Sequence, residues 1–239
     1  MDEVGTELTT HEELARLIGH ELLRPDLSEQ QVAEGCEMAR QNGIAAVTVR
    51  PSDVDLAARW IESSGVTLAS VVGWPHGSAT TATKLYEARD LLRRGAREIV
   101  AVANIGKLVS REFQYVEMEL LQLAGACHEA GGKLAVVFET PYLGQDLRVI
   151  ACKIARRAEV DFVRASAGAA PQEDVQFLVA RCAPAVVSAA GVESLDAALG
   201  LYRAGCGRLI PTATASLLAD WRRRIAPPQT PPASAEGVH

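Results

Sequence analysis

Between residues 18 and 218, short runs of β-branched and other apolar residues alternate with longer stretches whose apolar positions recur at helical spacing. The short runs predict strands at 18–21, 45–49, 67–72, 98–103, 134–138, 162–165, 185–188 and 208–210. The longer stretches predict helices near 28–42, 52–63, 80–94, 111–130, 145–157, 171–182, 194–204 and 212–224. Strands that are apolar along their whole length are buried on both faces. Eight such βα units in about 200 residues fit a closed (β/α)8 TIM barrel, an α/β fold, better than an open sheet. Gly43, Gly65, Gly95, Gly131, Gly132 and Gly205 fall just after the expected helices, where a left-handed cap is wanted.

In such a barrel the chemistry sits where strands end and the following loops begin. The residues placed there are His20 and Glu21; Thr48 and Arg50; Gly73, Trp74 and His76; Asn104 and Lys107; Glu139, Thr140 and Tyr142; Arg164 and Ser166; Ser188; and Thr212. That rim is polar and mixed in charge. Arg164 stands out, because a charged side chain at the mouth of a buried strand is costly unless it is paired, wet or in use.

The 239 residues carry a net charge of −6, which argues against a phosphate-backbone surface; no nucleic acid partner is expected. The basic run 221–224 reads as the positive end of a last helix. Five cysteines, Cys36, Cys127, Cys152, Cys182 and Cys206, lie far apart without a CxxC pair and read as reduced, packed thiols. With no signal-like segment and no run of 18 apolar residues, the expectation is a cytoplasmic protein with no membrane partner. Residues 1–225 read as one barrel domain with a short N-terminal extension, and 226–239, with four prolines, as a disordered tail.

Seven segments carry a resemblance: IGHELLRPD, VTVRP, VVGWPHGSATTATKLYEA, EIVAVANIG, VVFET, DFVRASAG and AAGVESLDAAL. Together they resemble the deoxyribose-phosphate aldolase family from about Ile18 to Leu218, the Gly-Trp-Pro-His-Gly turn and its Thr-rich helix start being the most specific. The resemblance implies a TIM barrel, a homodimer, and class I aldolase chemistry through a strand-end Schiff-base lysine, a second lysine and a proton-relaying aspartate. At the Schiff-base position this sequence has Arg164, and at the second lysine Val187 or, one residue out, Ser188. The remaining charged positions of the family machinery fall on Val100, Ala135 and Gly19. An arginine, with a pKa above ~12, cannot form the carbinolamine. Ordinary deoxyribose-phosphate aldolase activity is therefore expected to be absent. Of four lysines, Lys84, Lys107, Lys133 and Lys153, only Lys107 lies at the catalytic face, on a loop where its amine stays protonated. The family's phosphate site is altered too, to Ala190-Gly191 after the seventh strand and Pro211 where the eighth helix is expected to begin.

What remains at the mouth suggests repurposing. Glu139, Glu21 and His76 are candidates for acid–base catalysis, and Arg164, Arg50, Asn104, Ser166, Ser188 and Thr212 for holding a substrate. The reading is a lyase, cyclase or isomerase without a Schiff base, acting on a small oxygenated, anionic substrate. The alternative is a non-catalytic relative that binds a metabolite or protein partner. No metal-ligand spacing relates His11, His20, His76 and His128, and no cofactor is expected, although a divalent ion on Glu21, Glu139 and Asn104 stays open.

Overall fold

The computed structural model describes residues 7–226. The expected tail therefore lies, but for Ala226, outside the described residues. Eight strands alternate with helices: β1 Gly19–Leu22, β2 Ala46–Val49, β3 Thr67–Val72, β4 Glu98–Val102, β5 Lys133–Val137, β6 Phe162–Ala169, β7 Val186–Val192 and β8 Arg208–Pro211. The helices are α1 His11–Ala15, α2 Glu29–Asn42, α3 Val54–Trp60, α4 Thr81–Arg93, α5 Ile105–Val109, α6 Phe113–Glu129, α7 Gln145–Arg157, α8 Gln172–Val179, α9 Leu195–Arg203 and α10 Thr214–Ile225. The strands pair in parallel in the order β1 to β8. The ring closes where Ile18 bridges Leu209 and Leu209 N–H donates to the Leu17 carbonyl at 2.7 Å. This is the expected TIM barrel.

Alternation along the strands divides the apolar residues between two layers. Val71, Val100, Val102, Ala135, Val137 and Phe162 face inward and fill the barrel. Val47, Val49, Ile99, Val136, Val163 and Leu209 face outward and pack with helix residues such as Leu91, Leu120 and Leu123. Local sequence sets the helix ends. Ser28 and Gln31 form a capping box at the start of α2, and Gly43, at φ +60°, ends it in the left-handed region. Thr80 caps α4 and Ser194 caps α9.

Several elements differ from expectation. α1 rests on a Thr10–Glu13 capping box and α5 on the Asn104 cap; each has five residues, too few for a period to register. The stretch from 52 begins instead as a 3-10 turn, Pro51–Asp53, and its helix stops at Trp60. β6 runs on to Ala169, which pairs with Ala190 after an irregularity past Arg164, and β7 runs on to Val192, which pairs with Pro211 of β8 after a second register shift. Pro211 closes β8, and its helix starts only at Thr214. The amino-terminal end of the barrel is stoppered from within: the Arg208 guanidinium lies 4.7 Å from the Phe162 ring centre and 3.4 Å from Glu98.

Candidate active site

Arg164 projects from β6 into the mouth and is 2% exposed. Its guanidinium is held on several sides. Nη1 donates to Glu21 Oε1 at 2.5 Å, Nη2 to Glu21 Oε2 at 3.5 Å and to the Ala167 carbonyl, and Nε to the Ser166 carbonyl at 2.7 Å. The Trp74 ring lies 5.8 Å away. Both carbonyls belong to the irregular part of β6, so the strand's departure from regular pairing is what turns its oxygens onto the arginine. A buried guanidinium needs such partners to offset its desolvation.

Glu139 reaches the same segment from the end of β5. Its backbone is left-handed, φ 47° and ψ 58°, which is uncommon for a residue with a side chain. That conformation accompanies the carboxylate's clamp on β6: Oε2 accepts from the Ser166 hydroxyl at 2.9 Å and Oε1 from Ala167 N–H at 2.5 Å. Behind it, Asp174 of α8 accepts from the Thr140 hydroxyl at 2.6 Å and from Arg148 at 2.5 Å. Sequence reading did not pick out Asp174 or Arg148. Neither belongs to a motif, and the acidic first turn of α8, their only signal, is common to many helices.

Glu21, Glu139, Arg164 and Ser166 thus form one connected group. Ser188 sits beside it, its Cα paired in register with Arg164 and its hydroxyl donating to the Val163 carbonyl at 3.3 Å. Ser188 shares the inner face with Arg164, whereas Val187 packs in the outer layer.

The other candidates lie apart. Arg50 donates to Asp53 at 2.6 Å, to the Arg24 and Pro25 carbonyls at 3.1 Å and to the Leu27 carbonyl at 2.9 Å, so it fastens the loop after β1. Asn104 accepts from Lys107 N–H at 3.2 Å as the cap of α5. Thr212 directs both its N–H and its hydroxyl to the Val192 carbonyl, at 3.0 and 3.4 Å, leaving neither donor free for an anion. His76 is exposed on the turn after β3, directly following the cis Trp74-Pro75 bond. That turn admits only glycine at its end: a Cβ on Gly77, φ +68°, would lie 2.0 Å from the Ala103 carbonyl oxygen. His20 turns outward, its Nδ1 2.9 Å from the Thr214 hydroxyl, and burial pushes its pKa down to about 4.

The four lysines are all elsewhere. Lys84 is fully buried between α4 and α6, donating to the Val102 carbonyl at 2.8 Å and to Glu119 at 2.7 Å; burial lowers its pKa and Glu119 opposes that. Lys107 pairs with Glu112 at 2.9 Å and lies 5.0 Å from the Tyr115 ring. Lys133 begins β5 at the far end of the barrel, and Lys153 is exposed on α7. Among the described residues, no three His, Cys, Asp or Glu side chains converge as a metal site would, and no helix is long and apolar enough to cross a membrane.

Comparison with known proteins gives a consistent result. The chain is 33% identical over 218 residues to a deoxyribose-phosphate aldolase of Caldanaerobacter subterraneus, covering 88% of this chain and 94% of that one. It is 34% identical over 205 residues to the deoxyribose-phosphate aldolase of Thermococcus gammatolerans, covering 82% and 91%. A crystal structure of a putative deoxyribose-phosphate aldolase from Coccidioides immitis superposes with a TM-score of 0.84 at 26% identity, covering 89% of this chain and 87% of that one. The tetrameric enzyme from Aeropyrum pernix superposes with a TM-score of 0.83 at 25% identity, covering 90% and 93%. No protein-family model matches the chain.

Proposed function

Because this chain belongs to the deoxyribose-phosphate aldolase family, we propose that it keeps the family's barrel while acting without a Schiff base, as an acid–base lyase, cyclase or isomerase on a small oxygenated, anionic substrate. The observation that carries this reading is the Arg164–Glu21 pair at 2.5 Å, at the position where the family resemblance places the nucleophilic lysine. A guanidinium stays protonated at neutral pH and cannot attack a carbonyl, yet its planar donors suit an oxyanion.

In the mechanism we envisage, the substrate's carboxylate or phosphate takes the place of Glu21 on Arg164. The displaced Glu21 carboxylate, now in the mouth without its cation, is free to accept the substrate's proton. Glu139 keeps β6 in shape and borders the same space, and the exposed His76 exchanges the proton with solvent. The second reading, a binder without catalysis, draws support from Glu139, both of whose oxygens already accept hydrogen bonds from β6 as a structural clamp would.

A thermal-shift panel of sugar phosphates, keto acids and dicarboxylates identifies the anion, since a ligand that binds only the folded state stabilises it. With that ligand, Glu21→Gln should lower turnover by about 10²–10⁴ while binding survives. Tight binding without turnover in the unmodified protein would establish the binder instead. A panel with no hit would sink both.

A further inference from the structure

Glu139 is left-handed, and the residue that follows it, Thr140, opens the turn Thr140–Tyr142. A left-handed residue with a side chain persists only where its surroundings over-determine it. The hydrogen bonds from Ser166 and Ala167 hold the Glu139 carboxylate from the front. The backbone is held from behind. Thr140 is 1% exposed and fixed at two atoms: its hydroxyl donates to Asp174 Oδ2 at 2.6 Å, and its carbonyl accepts from Arg148 Nη2 at 2.9 Å. Arg148 Nε also donates to the Leu143 carbonyl at 2.9 Å, so one guanidinium spans both ends of the turn.

Asp174 stands in the first turn of α8, yet both its oxygens are directed away from that helix, Oδ1 to Arg148 Nη1 at 2.5 Å and Oδ2 to Thr140. A buried ion pair adds little net stability, because desolvation offsets the attraction. What this pair secures is geometry. In front of Glu139, a single peptide plane passes that geometry on: the Ala167 N–H donates to Glu139 Oε1 at 2.5 Å, and the Ser166 carbonyl of the same peptide accepts from Arg164 Nε at 2.7 Å.

We propose that Asp174 and Arg148 are positioning residues for the barrel mouth: through Thr140 they keep Glu139 left-handed, and through Glu139 they keep the Ser166–Ala167 peptide aimed at Arg164. A Glu139 that relaxes to negative φ swings its carboxylate off β6 and frees the peptide that orients the guanidinium. The assignment rests on the reading of Arg164 and Glu139 as the site.

The test follows two NMR signals of the full-length protein without any ligand, the Ala167 amide and the Arg164 Nε–H. Asp174→Ala and Thr140→Val should each shift both signals and speed their hydrogen exchange by about tenfold or more relative to the Val136 amide of the core strand β5. Thr140→Ser, which keeps the hydroxyl, should leave both as in the unmodified protein. Leu120→Ala truncates the core between α6 and the barrel wall; it should lower the melting temperature while leaving both signals in place. Unmoved signals in Thr140→Val overturn the proposal, and this milder change decides the matter if Asp174→Ala does not fold. Equal shifts in Leu120→Ala overturn it too, because the effect would then follow stability alone. Since no ligand takes part, a substrate panel without a hit leaves the outcome standing, and unmoved signals here leave the proposed chemistry to its own test.

Discussion

Arg164 and Glu21, 143 residues apart in the chain, meet across the barrel mouth at 2.5 Å. The pair joins β6 to β1, strands that do not neighbour each other in the sheet, so it links opposite walls of the barrel. Removing one partner of a buried pair strands the other, which costs about 3–5 kcal/mol. Glu21→Ala should destabilise by roughly that amount, because it leaves the guanidinium buried, and Arg164→Ala by less, because Glu21 can turn to water. The double variant should be more stable than the sum of the two losses predicts, by about 1–3 kcal/mol in urea unfolding. Additive losses would mean that the two side chains do not interact.

Treatment with acetaldehyde and borohydride should leave no adduct on the unmodified protein. Arg164→Lys should also fail, since Glu21 beside it holds the new ammonium in its charged form. Arg164→Lys/Ser188→Lys should be trapped, because two ammonium groups side by side on the inner face lower each other's pKa. Arg164→Lys/Val187→Lys should not, since position 187 faces the helices. An adduct mapped to Lys107 would show migrated Schiff-base chemistry.

His20 ties stability to pH. Its folded pKa, about 4, lies below the ordinary value of 6.5, so between those two values the unfolded chain holds a proton that the folded chain refuses. Stability from this group is complete above pH 6.5 and falls as pH drops toward 4, by on the order of 1–3 kcal/mol. The melting temperature of His20→Gln should decline less over that range than that of the unmodified protein. Parallel curves would assign the acid sensitivity elsewhere.

Lys84 and Glu119 form the barrel's most enclosed ion pair among the described residues, both side chains fully buried. Lys84→Met or Glu119→Leu alone should cost about 3–5 kcal/mol, and the two together should cost far less than either. Because Lys84 Cε lies where a Cβ on Gly73 would come within 2.8 Å, the single variants should also loosen the turn that carries Trp74. Trp74 fluorescence reports that directly, and an unchanged spectrum would confine the effect to stability.

The strands were legible because each is a run of β-branched residues whose two faces are both apolar, and a buried parallel barrel asks for that pattern. The meeting of Arg164, Glu21 and Glu139 was legible through the strand ends they occupy. Arg50 was not, because its partners include the backbone carbonyls of Arg24, Pro25 and Leu27, and no side-chain pattern announces where a carbonyl will point. The extension of β6 to Ala169 was hidden for a similar reason. Ser166, Ala167 and Gly168 read as loop, and their pairing depends on a change of register with β7 that only the folded sheet defines.

The closure of the ring has a consequence for how the chain comes to be folded. β8 meets β1 through the Ile18–Leu209 bridge, and outside it Trp221 Nε1–H donates to the Thr10 carbonyl at 2.8 Å. These contacts join the two ends of the described chain, 211 residues apart. During synthesis β1 therefore waits with one edge uncovered until β8 has left the ribosome, because β2 protects only its other side. An early-emerging apolar edge of this kind is a template for pairing with another nascent chain. A Trp221→Phe change, which keeps the ring's bulk but loses the donor, should lower the soluble yield more than it lowers the stability of protein already folded.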